Sequence, residues 1–140
     1  MPQTPVFLYR DEDGTVPLLD WLLSLKPKAQ IKCLNQIASL AHFGHELRRP
    51  AADILRDRIY ELRVKHESVN LRMLYFFDGR EAVLVSHGLT KEKQIPPKEI
   101  DRAIQNRENY LEDREGRRVG RSFLETLGAD FAKEQADETE

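Results

Sequence analysis

Two consecutive segments near the middle of the chain constrain its fold more than any other feature. Residues 59–65 alternate apolar and charged side chains with a period of two, the spacing of a strand with one buried face. The apolar face carries Tyr60, Leu62 and Val64, and the other face carries Glu61, Arg63 and Lys65. Residues 70–77 are almost all apolar, which is typical of a central strand covered on both faces. A hairpin turn signal, Asp78 with Gly79, then leads to a third strand at 82–87, so the pattern predicts an antiparallel meander.

Helical periodicity flanks this meander on both sides. Apolar residues recur at helical spacing in 17–25, 27–43 and 97–112, and each segment begins with a proline, which suits a first helical turn. Residues 6–9 are a short strand-like segment that could add a fourth strand. Because strands and helices are segregated along the chain, we predict an α+β fold. In it, an N-terminal helical hairpin and a C-terminal helix pack on a small antiparallel sheet.

The length and the charge distribution limit the classes of protein. At 140 residues the chain suits one domain, which we place at 1–113, followed by a charged C-terminal extension at 114–140, partly helical or disordered. The net charge of −2 argues against a nucleic-acid partner, but residues 56–107 hold eleven Lys/Arg and eight Asp/Glu, a balance of +3. Residues 122–140 hold one Lys and six Asp/Glu, a balance of −5. The middle of the chain therefore gives weak support for a polyanionic substrate.

The chain lacks the signals of export, membrane insertion and metal-dependent catalysis. No apolar run reaches the ~18 residues of a membrane span, and one cysteine, Cys33, cannot form an internal disulfide, so we expect a cytoplasmic protein without membrane contact. Glycine-rich phosphate loops and the G-x-S-x-G and H-E-x-x-H motifs are missing. The four histidines are scattered, so we expect no metal and no cofactor.

Four basic residues are candidates for a site, and each also has a purely structural interpretation. Arg63 points away from the apolar face of its strand and can reach a ligand, or it is a solvated arginine paired with Glu61 or with a neighbouring strand. Arg72 begins an otherwise apolar strand, so it must be paired, exposed at the strand end, or functional. Lys91 and Lys93 follow the third strand, where they either lie close to the arginines or are ordinary surface residues.

Two further residues are secondary candidates. Tyr75 could stack on a base, although an aromatic residue on a central strand is more often part of the core. His87 ends the third strand, either as a general base or as a hydrogen-bonded structural histidine.

An ordered set of short motifs resembles a known family. The set comprises YELR (60–63), RMLYFF (72–77), VLVSHGL (83–89), TKEKQ (90–94) and PKEIDRA (97–103). Together these motifs resemble the HigB-like, phage-derived branch of the RelE superfamily, the toxins of bacterial toxin–antitoxin pairs. The resemblance covers about residues 5–113 and implies that the domain at 1–113 is a toxin domain with a RelE-like fold.

The resemblance implies a metal-independent endoribonuclease that cleaves mRNA, commonly on the translating ribosome. In this chemistry the ribose 2′-hydroxyl attacks the adjacent phosphate and the 5′-oxygen leaves. The residues that match the family's catalytic positions are Arg63 and Arg72, which would clamp the phosphate and stabilise its charge, and Lys91, a phosphate contact or proton carrier. The expected substrate contacts are Lys65, Lys93, Gln94, Tyr75 and His87.

The resemblance also implies partners. These are a cognate helix-turn-helix antitoxin, mRNA on the ribosome, and operator DNA only as a toxin–antitoxin complex. Glu92, between two lysines, and the acidic tail depart from the family pattern. They favour an alternative, a catalytically weak or inactive module of the same fold that acts with an antitoxin in DNA or protein binding. A ribosome-independent nuclease is a third possibility.

Overall fold

The computed structural model describes residues 3–90, 94–120 and 122, and these form one sheet with helices on both faces. The three α-helices of the described residues are α1 (Pro17–Ser24), α2 (Pro27–Phe43) and α3 (Pro97–Glu112). Their seven strands are β1 (Val6–Tyr9), β2 (Ala52–Ile54), β3 (Tyr60–His66), β4 (Val69–Asp78), β5 (Glu81–Leu84), β6 (Leu89–Thr90) and β7 (Arg118–Gly120). The α+β class predicted from the sequence is confirmed. In this part of the chain no helix is long and apolar enough to cross a membrane.

The sheet is mixed, whereas the sequence predicts a wholly antiparallel one. Its order is β2-β3-β4-β5-β1-β7, and β6 pairs with β4. The meander β3-β4-β5 is antiparallel as predicted, but β1 lies parallel to β5, with Val6 opposite Ala82. The reason is the path of the chain. Since α1 and α2 carry it from β1 to β2 at the far edge of the sheet, no tight turn links β1 to β5, and the two strands can run in the same direction.

The two faces of the sheet are buried against different helices. One face packs on α1 and α2 and contributes Leu62, Val64, Leu71, Met73 and Tyr75 to the core. The other packs on α3 and contributes Ile59, Leu74, Phe76 and Val83. Strand β4 contributes residues to both sets, which explains why its sequence is apolar almost throughout.

The predicted third strand is broken in the structure. Strand β5 ends at Leu84, the amide of Val85 still donates to the carbonyl of Leu74 at 3.0 Å, and regular pairing with β4 resumes only at Leu89. At the break, the side-chain amide of Asn106 on α3 donates to the carbonyl of Val85 at 2.6 Å, which takes an acceptor that a continuous strand would use. Gly88 follows with its α-carbon against the ring of Trp21, where a β-carbon would overlap the indole. These two contacts divide a segment whose sequence resembles one continuous strand.

Two short edge strands complete the sheet. Strand β2 pairs with β3 in a segment between α2 and β3 that shows no strand periodicity. Strand β7 pairs with β1, so residues 118–120, which the sequence assigns to the C-terminal extension, join the sheet. The physical reason is coverage of β1, because Arg118 lies over the ring of Phe7 at 4.4 Å and the amide of Arg10 donates to the carbonyl of Arg117 at 2.8 Å. The rest of the predicted extension, apart from Ser122, lies outside the described residues.

The pairing of β7 with β1 generates a prediction about truncation. A chain that ends at residue 113 should unfold at a lower urea concentration than a chain that ends at residue 120. The shorter chain loses three strand pairs, the contact of Arg118 with Phe7 and the Arg114–Asp78 ion pair at 2.7 Å. Urea denaturation of both chains and of the full chain separates this effect from that of residues 121–140. Equal midpoints for the two truncated chains would contradict the prediction.

Candidate functional site

Two arginines lie directly opposite each other on the central strands. The register of β3 and β4 pairs Arg63 with Arg72, and both side chains project from the face of the sheet that carries α3. Arg63 is 37% exposed and Arg72 is 15% exposed. Like charges directly opposite each other on neighbouring strands are destabilising, so this pair requires a compensating anion.

Glu61 is that anion, and it is buried. Its side chain is only 1% exposed, and its Oε2 accepts a hydrogen bond from Nη1 of Arg72 at 2.9 Å. Its Oε1 accepts a second hydrogen bond from Nε of Arg63. A buried carboxylate is costly unless it is paired and hydrogen-bonded, and here both oxygens have a cationic donor. The sequence predicts a solvent-facing Glu61. The structure corrects this, because α3 covers that face of the sheet as well.

Asp53 on β2 extends the network outwards. Its Oδ2 accepts hydrogen bonds from Nε of Arg49 at 2.8 Å and from Nη2 of Arg63 at 3.4 Å. Removal from water raises the pKa of Asp53, but hydrogen bonds from Arg49 and from the amide of Ile54, with the charge of Arg63, outweigh it and lower the pKa below its usual value. Asp53 is therefore held in its charged form.

Two grooves meet at the arginine pair. The first, which we call the arginine groove, has a volume of about 430 Å³ and is lined by Arg49, Arg56, Arg63 and Arg72 together with Asp53 and Glu61. Arg56 is paired outside the groove with Asp57 and Asp101, so the local positive charge comes from Arg49, Arg63 and Arg72 against Asp53 and Glu61. The second groove, of about 460 Å³, is also lined by Arg63 and Arg72. The planar guanidinium fork matches the geometry of phosphate, so this arrangement can hold a phosphodiester with a groove on either side.

Four of the residues predicted from the sequence come together here. Besides the arginine pair, Gln94 lines the arginine groove and Lys65 lines the second groove. Lys91 and Lys93 lie outside the described residues. The roles assigned to all of these residues stay predictions.

Tyr75 is placed away from the grooves. It is fully buried on the opposite face of the sheet, with its ring centroid 5.3 Å from that of Tyr60 and 5.6 Å from that of Phe77. Burial raises the pKa of its hydroxyl. Successive residues on β4 face opposite sides of the sheet, so Tyr75 and Arg72, three positions apart, project in opposite directions. Tyr75 therefore does not offer the predicted contact with substrate.

His87 is also separate from the arginine pair. Its Nε2 lies 3.6 Å from Oε2 of Glu99, and its side chain is 29% exposed. Burial and the positive charge of Arg102 lower its pKa, and the charge of Glu99 opposes them only in part. His87 lines neither groove.

The sequence does not predict the outer residues of the site, which lie on and around β2. Arg49, Asp53 and Arg56 belong to an edge strand and its flanking segments, which carry no periodic pattern. The signal for Glu61 was present, since a residue two positions before Arg63 in a strand shares its face. Within the described residues, no group of three or more His, Cys, Asp or Glu could hold a metal ion.

Substitution of Glu61 should destabilise the protein. In Glu61→Gln the shape is kept but the shared anion is lost. Arg72 then loses its ion pair, and Arg63 keeps only its longer contact with Asp53 at 3.4 Å. We expect a loss of about 1–3 kcal/mol in the free energy of unfolding, less than for a fully buried pair because Arg63 is partly exposed. Urea denaturation measures this loss, with Glu67→Gln in the exposed hairpin turn as the matched control. Equal stability of the two variants would contradict the role of Glu61.

His87 should contribute to the loss of stability at acidic pH. Because its pKa is lower in the folded protein than its ordinary value, the unfolded chain binds the proton more readily. Stability therefore falls as the pH drops below roughly 6.5, and this cost levels off below the folded pKa. We expect His87→Gln to lose less free energy of unfolding than the wild type between about pH 7.5 and about pH 5.5. The exposed His42→Gln is the control, and identical losses in all three proteins would refute this contribution.

Comparison with known proteins identifies the family. Residues 20–108, more than half of the 140, match the model of the family described as Phage derived protein Gp49-like (DUF891). A search of curated proteins finds no match. The chain therefore belongs to the phage-derived Gp49-like family.

Proposed function

We propose that this chain is the toxin of a toxin–antitoxin pair and acts as a metal-independent endoribonuclease on mRNA at the ribosome. Membership of the Gp49-like family, which is associated with toxin–antitoxin systems, supports the system. The observation that carries the activity is the pair Arg63 and Arg72, held together by a buried carboxylate between two open grooves. A RelE-like fold is part of the proposal.

The arginine pair suits the charge that develops during cleavage. When the 2′-hydroxyl attacks the adjacent phosphate, negative charge grows on the nonbridging oxygens, and fixed donors aimed at them lower the barrier. Each guanidinium has five N–H donors, and Glu61 accepts from one donor of each. Donors therefore remain for the phosphate. Arg63 and Arg72 would bind it, and Lys91 would contact it or carry a proton.

Glu61 acts in this proposal as a positioning residue. It holds two like charges at adjacent strand positions before the substrate arrives, so little reorganisation of the arginines is needed during the reaction. Positioning of this kind requires rigid support. The support is β3 and the residue before it, since Leu62 on the strand and Ile59 just before it are fully buried on opposite faces of the sheet.

The partners follow from the proposed system. A helix-turn-helix antitoxin would neutralise the toxin, and operator DNA would be bound only by the complex of the two proteins. The proposed location is the cytoplasm, where ribosomes and mRNA are available. Lys65 and Gln94 would contact the RNA on either side of the arginine pair, because they line the two grooves.

A second candidate function is a binding module with weak or no catalysis. The specific observation in its favour is that Glu61 and Asp53 already pair with Arg63, and Glu61 with Arg72. Internal carboxylates reduce the positive charge available to a substrate, and Glu92 adds another negative charge in the sequence. In this case the protein would act with its antitoxin and would not cleave RNA.

Induced expression tests the leading proposal. Wild-type chain should arrest growth and translation, and Arg63→Ala combined with Arg72→Ala should relieve the arrest, because the phosphate clamp is lost. Arg80→Ala, an exposed arginine in the turn after β4, is the matched control and should remain toxic. Circular dichroism and urea denaturation of the double variant must show a folded chain, since it leaves Glu61 unpaired.

Purified protein separates the candidates. Cleavage of mRNA only when ribosomes are present supports the leading proposal, and cleavage of free RNA supports a ribosome-independent nuclease. A folded wild-type protein that neither cuts RNA with ribosomes nor slows growth would favour the binding module. Full toxicity of a folded double variant would remove Arg63 and Arg72 from the catalytic assignment.

A further inference from the structure

A third arginine shares an anion with the central pair. One oxygen of Asp53 accepts from Nε of Arg49 at 2.8 Å and from Nη2 of Arg63 at 3.4 Å. A single carboxylate oxygen between two guanidinium groups marks a position in the arginine groove where an anion is stabilised. This position is next to the one between Arg63 and Arg72, because Arg63 takes part in both.

The hold of Asp53 on this position is weak. The distance of 3.4 Å to Arg63 is long for a charge-assisted hydrogen bond, and the side chain of Arg49 is 76% exposed. Ion pairs with so exposed a partner contribute little stability. Asp53 also keeps a second partner, since its Oδ1 accepts from the amide of Ile54 at 2.9 Å. The carboxylate can therefore release both arginines without being left unsatisfied.

We propose that Arg49 and Arg63 form a second phosphate subsite, which binds the phosphate next to the one held by Arg63 and Arg72, and that Asp53 occupies it in the RNA-free protein. This inference rests on the proposed function and specifies its substrate as a single strand with consecutive phosphates. An RNA strand that places a phosphate in each subsite displaces Asp53. A single anion occupies only one of the two subsites and so gains less binding energy. Asp53 thus acts as an internal competitor that favours polynucleotides over single nucleotides.

Binding of an uncleavable RNA tests the subsite. The probe is a single-stranded RNA oligonucleotide with every 2′-hydroxyl methylated, so that binding is measured without cleavage. Asp53→Asn should bind it about twofold to fivefold more tightly than the wild type, because the competing charge is lost. Arg49→Ala should bind it more weakly, and the slope of log affinity against log salt should fall by about 0.7 in magnitude, the value for one phosphate contact on a single strand.

Matched controls isolate the local effect. Asp20→Asn removes the same charge from the exposed face of α1, away from both grooves, and should leave the affinity unchanged. In the combined variant Arg49→Ala with Asp53→Asn, the gain from Asp53→Asn should shrink, because one of the two freed arginines is absent. Arg49 is largely exposed, so Arg49→Ala keeps the fold. In the event that Asp53→Asn is poorly folded, the salt slope of Arg49→Ala alone tests the subsite.

The outcomes distinguish this inference from the proposed function. Unchanged affinity of Asp53→Asn and an unchanged salt slope of Arg49→Ala would overturn the second subsite while leaving cleavage at Arg63 and Arg72 in place. Tighter binding by Asp53→Asn in a protein that never cleaves RNA would overturn the nuclease and keep the subsite. A wild-type protein that does not bind the methylated oligonucleotide at low salt would overturn the subsite as well.

Discussion

The candidate site depends on one buried carboxylate. Arg63 and Arg72 are opposite each other in the sheet, which is unfavourable for two positive charges, and Glu61 is almost fully removed from water, which is unfavourable for a negative one. Together the three charges satisfy one another. Because Glu61 is only 1% exposed, its attraction to the arginines is stronger than it would be on an open surface. Any anion that binds in the groove meets arginines whose positions are already set.

The long periodic segments of the sequence predict most of the fold. The bounds of α2 and β1 agree with the predicted 27–43 and 6–9, and β3 and β4 differ from prediction by one residue at each end. Strands β2 and β7 could not be predicted, because three residues are too short to show an alternation. The direction of β1 and the break after Leu84 depend on contacts between distant parts of the chain, among them that of Asn106 with Val85.

The site was predictable only in part, for a similar reason. A charged residue in an apolar strand drew attention to Arg72, and the face opposite Leu62 drew attention to Arg63. The register of two strands decides which residues lie opposite each other, and the alternation within a single strand does not predict that register. The burial of Glu61 follows from α3 packing on its face of the sheet. The opposite case is Tyr75. It is close to Arg72 in the sequence, but its side chain is buried on the other face of the sheet.

The two edge strands have a consequence for the behaviour of the free protein at high concentration. Sheet edges with unpaired amides are templates for chain-to-chain pairing and fibril growth. On β2 the amide of Ala52 donates to the carbonyl of Arg48 at 3.2 Å, and the amide of Ile54 donates to the carboxylate of Asp53 at 2.9 Å. On the other side, the three residues of β7 cover β1, which is otherwise an apolar strand open at its edge. Neither edge of the described sheet offers a long run of free amides, so the fold resists self-association through its sheet.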